Sequence, residues 1–513
     1  MGTSEHNLAE RLATLAARNG WLDRVAFLVG EQRFTHGEVH EGAARTATLL
    51  ARHGVGVGDR VLIALPDGVE FAWAFLGAAR LGAIAVPVNP QLAAGDHDHA
   101  LEAVTPAAVV CGEELAGRFA AGAPIVSGRG LAARLRTVEP APATPVTAAT
   151  PAYAQFTSGT TGRPKAALHR HRDLEVYFQA FARRALSIRA SDVLFSASKL
   201  YFAYGLGNSL GFPLFSGASA VLHPGRPRPE DVGALLARHQ PTILFAVPTL
   251  YANLLAAFPG PEGEPPTRSL RLAVSAGEAL LPALAERVRA YYGCLILDGL
   301  GSTEVGQTFV SNTPDAWRDG TVGRALPPYQ VEVRPDSGAG RCPPGEQGVL
   351  WVKGPTVLLQ YWSNPEATAA VLDRDWLRSG DLAVMDADGF VRMAGRADDI
   401  ENVGGINFAP AEVERLLATH AGVTEVAVAA VRDPNGGSHL RAFVVPAPAD
   451  ADDQARKVLE AELLALARAE LTAFKVPRAV TFMEALPRTP TGKLRRFMLR
   501  SWQPEPGPAE PGA

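Results

Sequence analysis

Between residues 60 and 111 the chain passes repeatedly from short apolar strand patterns to helical ones, and this alternation restricts the fold more than any other feature. Arg60 to Leu65 reads as a buried strand, Pro66-Asp67-Gly68 turns into a helix ending at Arg80, and Gly82 stops that helix before a strand at Ala83 to Val88. Apolar strands separated by helices belong to parallel sheets, whose crossover helices cover the faces. The pattern resumes at residues 108–111 and 124–126. Ahead of it, Val25 to Phe34 reads as a hairpin turning at Gly30-Glu31, and His36 to His53 as an amphipathic helix stopped by Gly54. Further on, Leu174 to Ala185 and Leu280 to Tyr292 read as helices, and Asp192 to Ser196, Pro241 to Val247 and Leu295 to Leu297 as strands, the last ending at Asp298-Gly299.

With 513 residues the chain can form roughly two to four domains with large cores. Its 47% apolar and 20% charged content is that of a soluble globular protein, and a net charge of −4 argues against binding driven by nucleic-acid phosphates. Cys111, Cys294 and Cys342 are scattered, without a CxxC pair, which fits a reducing compartment. Glu5, Glu10 and Arg11 break any apolar export segment, and His6 stands where a myristoylation signal needs Ser or Thr. The uncharged stretch Leu200 to Leu222 is long enough to span a bilayer, but four glycines, three serines, Asn208 and Pro213 interrupt it. It reads as buried helix and strand, with no membrane span and a cytoplasmic location expected.

Residues 139–151 are rich in Pro, Ala and Thr and read as a surface connection, and Thr321 to about Arg392 as a β-rich subdomain of short alternating segments. Gly395 to Asp399 is a polar break. Beyond it, helix Pro410–Thr419, strands Val423–Val431 and Leu440–Val445 and helix Asp452–Leu471 make a unit of their own. The expected division is 1–397, 398–502 and a disordered tail at 503–513.

Four motifs carry chemistry. Thr157-Ser158-Gly159-Thr160-Thr161-Gly162-Arg163-Pro164-Lys165 follows a strand end and sets glycines and hydroxyls before a lysine. Such a turn offers backbone N–H groups, hydroxyl donors and an ammonium to a polyphosphate. It is not a Walker A loop, since Pro164 precedes the lysine and Ala166 follows it. Asp298-Gly299-Leu300-Gly301-Ser302-Thr303-Glu304 also follows a strand; its glycines permit close approach of a planar group, and Glu304 is an oxygen donor suited to Mg²⁺. Asp381 and Arg396 combine a diol acceptor with a guanidinium. Pro487 to Lys493 is a tight turn presenting one ammonium. Taken singly, Glu304 and Lys493 read as solvated side chains; together with the other elements they acquire meaning.

In this combination the chain resembles the adenylate-forming superfamily of acyl-CoA synthetases, firefly luciferase and peptide-synthetase adenylation domains, over nearly its whole length. The carriers are TSGTTGRPK, GSTE, Ser379-Gly380-Asp381, GRADD and PRTPTGK. Within it, SKLYFAYGLGNSL, SAGEAL and DGLGSTE are most similar to benzoate–CoA ligases. The resemblance implies an α/β fold, with a large N-terminal adenylation domain of αβαβα layers plus a β-rich subdomain, and a small mobile α+β C-terminal domain. It implies that Thr157, Ser158, Gly159, Thr160, Thr161, Gly162 and Lys165 hold the ATP phosphates, and that Gly277, Glu278, Ala279, Asp298, Gly299, Leu300, Ser302 and Thr303 line the nucleotide site. Asp381 and Arg396 would hold the ribose and Glu304 the Mg²⁺, with Lys493, Thr160 and Glu304 catalytic. Asp398 would be the hinge, and Val403, Gly404 and Gly405 would line the path of coenzyme A. Ala203, Tyr204, Ala276, Gly301, Gln307 and Thr308 would form the aryl pocket.

The implied reaction joins an aromatic acid to coenzyme A through an aryl-adenylate, with AMP and pyrophosphate released. The alternative acceptor is an acyl carrier protein, and the implied assembly is a monomer or homodimer. Gln307-Thr308 stands where a benzoate-selective pocket has His-Ile. Both offer hydrogen-bonding groups, so a benzoate bearing an amino or hydroxy group, such as anthranilate, is expected over benzoate itself. Glu401-Asn402-Val403-Gly404 departs from the Leu-Lys-Val-Ser usual in the branch, which leaves the contacts to coenzyme A open there. Rival readings are a serine hydrolase on Gly207-Asn208-Ser209-Leu210-Gly211 and a metal site on Asp96-His97-Asp98-His99, taken as an exposed loop. The basic C-terminal end, from Lys475 to Arg500, is a solvated face or an attractor of coenzyme A phosphates or an acidic carrier protein.

Overall fold

The computed structural model describes residues 6–119, 123–128, 130–157, 164–258, 265–337, 340–396, 401–403, 406–408, 410–432, 438–449, 451–471, 475–488 and 494–502. Strands β1 (Val25–Val29) and β2 (Gln32–Thr35) form the opening hairpin. The alternating region yields β3 (Arg60–Ala64), β4 (Ile84–Pro87), β5 (Ala108–Cys111) and β6 (Ile125–Ser127), followed by β7 (Pro151–Phe156) and β8 (Ala166–Arg170). These make a six-stranded sheet in the order β6-β5-β3-β4-β7-β8, parallel except for the β7/β8 pair.

The chain then lays down β9 (Val193–Ser196), β10 (Ser219–Leu222), β11 (Ile243–Ala246), β12 (Leu272–Ala276), β13 (Leu295–Gly301), β14 (Thr308–Ser311) and β15 (Arg324–Ala325). With the opening hairpin they form a nine-stranded sheet, β15-β14-β13-β12-β11-β9-β10-β1-β2. It is parallel from β13 through β1 and antiparallel at both ends. The parallel sheets expected from the alternation are therefore present, and the helices cover them. Helix Val69–Arg80 is buried on nearly every side, as its almost uniformly apolar sequence requires. It meets helix His36–Arg52 closely: a Cβ at Gly42 would lie 2.2 Å from Trp73 Nε1, and one at Gly77 3.0 Å from the Thr46 side chain.

The chain divides into two compact units: Met1–Glu332 with Trp351–Ser379 and Met385–Arg392, and Val333–Leu350 with Gly380–Val384 and Met393–Ala513. Strands β16 (Gln330–Arg334), β17 (Gln347–Lys353), β18 (Leu372–Asp373), β19 (Trp376–Met385) and β20 (Val391–Arg396) make a five-stranded sheet where the β-rich region was expected. After the short pair β21 (Glu401–Val403) and β22 (Ile406–Phe408) come β23 (Val423–Arg432), β24 (Ser438–Pro446) and β25 (Ala479–Phe482). The last three form a mixed sheet. One face packs Val428, Leu440 and Val444 on helices Ala411–Leu417 and Asp453–Glu470 through Val413, Leu417, Leu463 and Ala467, which makes this unit α+β.

Three local expectations change. β13 does not stop at Leu297 but runs through Asp298-Gly299-Leu300-Gly301, because β14 returns antiparallel and pairs Leu300 with Val310. The helix over 174–185 begins at Asp173 and widens into a π-helical segment at Phe178–Ala185. Asp96 to His99 lie on helix Ala94–Val104 rather than in a loop, with His97 buried against Phe119. Among the described residues no helix is long and apolar enough to cross a membrane.

Candidate active site

The phosphate-loop motif joins β7 to β8. Phe156 pairs with Ala166, and the Thr157 N–H donates to the Lys165 carbonyl at 2.8 Å, so the two ends of the motif are held together as an antiparallel pair. Residues Ser158, Gly159, Thr160, Thr161 and Gly162 lie outside the described residues. The free edge of β8 is covered by a short strip, residues 359–362, in antiparallel contact. Leu168 N–H donates to the Gln360 carbonyl at 3.0 Å, Leu359 N–H to Leu168 at 2.8 Å and Trp362 N–H to Ala166 at 2.7 Å. Just ahead of the strip, Leu358 N–H donates to the Glu304 carbonyl at 2.7 Å. The strip thereby ties the phosphate hairpin to the second motif, and Tyr361 does so with its side chain as well. Its hydroxyl donates to Glu304 Oε1 at 2.9 Å, and the exposed Lys165 ammonium sits 5.3 Å from its ring centre.

Ala276-Gly277-Glu278 leave the carboxyl end of β12 beside Asp298 to Leu300 on β13, with Ser275 opposite Asp298 and Ala276 opposite Gly299. That is where α/β sheets take their ligands. Gly277 has φ +91°, a conformation that glycine takes without strain. Glu278 accepts from Thr249 N–H at 3.1 Å and Thr249 Oγ1 at 2.7 Å, which fixes the turn. Asp298 is buried. Desolvation pushes its carboxyl up to about 7, against the Ser275 hydroxyl and the Gly299 and Leu280 N–H groups, which favour the charged form. The turn at Ser302 to Gly306 is pinned from below. His169, fully buried and stacked on Tyr153 at 5.0 Å, contacts the Thr303 carbonyl through Nε2 at 2.8 Å and Asp173 through Nδ1 at 3.4 Å.

Of the expected aryl-pocket residues, Ala276 stands opposite Gly299, while Ala203, Tyr204, Gly301 and Thr308 meet at Gln307. Its Nε2 lies 3.1 Å from the Tyr204 carbonyl, 3.5 Å from that of Ala203 and 3.5 Å from Asn208 Oδ1. Its Oε1 accepts from Thr308 N–H at 3.0 Å and Thr308 Oγ1 at 3.1 Å. Glycine is required on two sides, since a Cβ would lie 2.1 Å from Gln307 Nε2 at Gly207 and 2.9 Å from the Gln307 carbonyl at Gly301. The amide expected to meet a ring substituent thus binds its own surroundings, as a side chain only 2% exposed must. What remains is the acceptor side of the Thr308 hydroxyl. Tyr204 stands edge-on to Phe245, with ring centres 6.1 Å apart.

Sequence reading missed the anchor of this segment. Lys199 and Asp67, both buried, face each other at 3.8 Å, and Asp67 Oδ1 accepts from Leu200 N–H at 2.9 Å. Burial lifts the Asp67 carboxyl to about 6 and lowers the lysine below its usual range, each partly countered by the other's charge.

The serine-hydrolase reading fails on geometry. Gly207–Gly211 continues helix Ala203–Leu206 instead of following a strand, and Asn208 and Ser209 are buried inside it. Among the described residues no cluster of three or more His, Cys, Asp or Glu could hold a metal by itself, and His97 and His99 contact the carbonyls of Asn89 and Pro164 instead.

In the second unit Asp381 is buried on β19. Arg396 and Val403 end β20 and β21, and their side chains lie outside the described residues, as do Asp398, Gly404, Gly405 and Lys493 entire. The flanks of the lysine turn are well held. Arg488 and Leu494 form an antiparallel bridge, Arg495 N–H donates to the Pro487 carbonyl at 2.8 Å, and Arg488 pairs with Glu425 at 2.9 Å. Arg496, nearly buried, pairs with Glu414 at 2.5 Å. Lys475 pairs with Glu412 at 2.6 Å, so this basic end is in part internally neutralised.

Residues 14–362 match the AMP-binding enzyme family, and residues 412–493 match the AMP-binding enzyme C-terminal domain. The chain is 42% identical, over 97% of its own length and 69% of the relative's, to the p-hydroxybenzoic acid–AMP ligase of Mycobacterium marinum. It is 40% identical to the benzoate–CoA ligase of Thauera aromatica, over 90% of this chain and 88% of the other. Among solved structures, a benzoate CoA ligase from Burkholderia xenovorans superposes with a TM-score of 0.88 at 35% identity, covering 96% of this chain and 99% of that one. An anthranilate CoA ligase in complex with anthranoyl-AMP gives 0.88 at 31%, covering 96% of each. The motifs, the sheets that carry them and these likenesses coincide: the chain belongs to the AMP-binding enzyme family.

Proposed function

We propose that the protein is an ATP-dependent ligase of aromatic carboxylic acids, forming an aryl-adenylate with release of pyrophosphate and then passing the aryl group to a thiol with release of AMP. The observation that carries this is the meeting of the two phosphate-handling motifs, Lys165 and Glu304, on one tyrosine of the strip over β8, in the same unit as the buried, amide-braced segment at Gln307. A carboxylate is a poor electrophile until its oxygen is joined to a good leaving group. Attack on the ATP α-phosphate provides AMP for that role, and it brings two anions together, so catalysis consists mainly of charge neutralisation and positioning. The residues present fit Mg²⁺: Glu304 offers a carboxylate of which one oxygen accepts a hydrogen bond from the Tyr361 hydroxyl, and its other oxygen would help hold the ion. Bound there, the ion would screen phosphate charge. The hydroxyls and N–H groups of the 157–165 loop grip the β- and γ-phosphates. Gly277 to Ala279 and Asp298 to Leu300 receive the base, and Asp381 and Arg396 the ribose. Lys493, carried by the second unit, neutralises the attacking carboxylate and the α-phosphate. Movement about Asp398 then withdraws it and lets the thiol arm enter past Val403-Gly404-Gly405.

For the acid we favour a benzoate with a hydroxy or amino group. Relatives named for p-hydroxybenzoic acid, 3- and 4-hydroxybenzoate and anthranilate support this, and the Thr308 hydroxyl keeps acceptor capacity for such a group. The acceptor is coenzyme A; the relative named as an AMP ligase supports a carrier-protein phosphopantetheine as the second reading. Pyrophosphate release measured across benzoate, p-hydroxybenzoate, salicylate and anthranilate tests the acid. Turnover of none of them overturns the class, and a clear preference for unsubstituted benzoate overturns the substituent. AMP release with free coenzyme A, set against acyl loading of a carrier protein, separates the two acceptors.

A further inference from the structure

We infer that Tyr361 is a positioning residue for the nucleotide-phosphate site, a role that rests on the function proposed above. Two loops distant in sequence must present Lys165 and Glu304 to one polyphosphate, and Tyr361 alone among the described side chains touches both charged groups. It is 5% exposed. Its backbone cannot drift, because Tyr361 bridges Ala167 on β8 and its N–H donates to Thr368 Oγ1 at 2.9 Å. From that fixed base the phenol acts in two chemically separate ways. The O–H donates to Glu304 Oε1 at 2.9 Å, a charge-assisted bond that selects one carboxylate orientation. The ring face receives the Lys165 ammonium at 5.3 Å, within cation–π reach, and keeps a flexible, exposed lysine close to the loop it leaves. Lys165 meets the ring rather than the Glu304 carboxylate. A direct ion pair between those two would cancel the charges that metal and phosphate need.

The two contacts can be removed separately. Tyr361→Phe keeps the ring under Lys165 and deletes the bond to Glu304, whereas Tyr361→Leu deletes both. The measurement is the dissociation constant of Mg·ATP by calorimetry, together with KM for Mg·ATP and kcat in pyrophosphate exchange with a saturating aryl acid. The Phe variant should bind Mg·ATP about tenfold more weakly, the scale of one hydrogen bond to a charged group. Its KM should rise in proportion and kcat should change much less. The Leu variant should lose a further few-fold. In a Glu304→Ala background the Phe substitution should have no additional effect, since the hydroxyl works through that carboxylate. A Phe variant that binds Mg·ATP as the wild type does overturns the inference, as does an equal loss with and without Glu304. Circular dichroism and thermal melts of each variant identify a folding defect, and the Phe variant decides the matter even where the Leu variant does not fold. The outcomes also separate the two claims. Wild-type protein that binds Mg·ATP but adenylates no aryl acid defeats the proposed reaction and leaves the binding comparison readable.

Discussion

The phosphate end and the ring end of the candidate site are built on opposite principles. Around Lys165 and Glu304 the groups are charged and partly open to solvent, and their contacts are with a tyrosine that each can leave when a stronger partner arrives. Around Gln307 and Thr308 the groups are neutral and almost wholly buried, each engaged with backbone or with the other. Neutral amides that satisfy one another hold a shape, whereas exposed charges hold a readiness to exchange partners. Under the proposed function, chemistry at one end and selectivity at the other would depend on separate residues, and the two should fail separately.

The hardest blow to the phosphate end is Lys493→Ala. It should slow aryl-adenylate formation by about 10²- to 10³-fold, as loss of a transition-state charge partner does, while supplied aryl-adenylate is still converted to thioester. Equal loss of both half-reactions refutes the assignment and blurs the contrast. Next comes Gln307→Leu, which removes the amide contact to the Tyr204 carbonyl and takes the acceptor from the Thr308 donors. A stability loss of about 1–3 kcal/mol is expected by denaturant titration, with KM for the aryl acid raised and KM for ATP unchanged. A parallel rise in KM for ATP breaks the division of labour. Glu304→Gln should do the reverse, raising KM for Mg·ATP about tenfold with little change in KM for the acid.

The smallest effect concerns pH. Because burial holds the Asp298 carboxyl near 7 in the folded chain, far above its value when unfolded, the folded state binds this proton more tightly. Its contribution to stability is complete below about pH 4 and is lost as pH rises through 7. Asp298→Asn should therefore gain stability relative to wild type as pH goes from 5 to 8, and level off above that. Denaturation midpoints at the two pH values check the sign. KM for ATP should vary with pH near 7 in the wild type and not in this variant.

The alternation of apolar strands and helices was enough to read the parallel sheets, because burial on both faces leaves a local imprint on each strand. The motifs were legible for a similar reason: glycines and hydroxyls cluster within nine residues at 157–165 and within seven at 298–304. What escaped reading is non-local. Tyr361 lies 57 residues from its Glu304 partner, and Asp67 lies 133 from the Leu200 N–H it accepts from, with nothing periodic joining either pair. β13 outran its expected end because strand pairing supplied by β14 overrode the weak strand preference of Asp-Gly-Leu-Gly. Gln307 was singled out by its place after Glu304, but composition cannot tell an amide offered to a ligand from one consumed by the helical segment at residues 203–211.

The strip at 359–362 has a practical bearing on how this protein can be cut. β8 is the last strand of its sheet, and among the described residues this later segment is what shields its outer hydrogen-bonding edge. A shortened chain ending just before Trp351 would keep every strand of both large sheets yet bare that margin. It would be expected to clump through edge-to-edge pairing, while a version extended past Thr368 would stay dispersed.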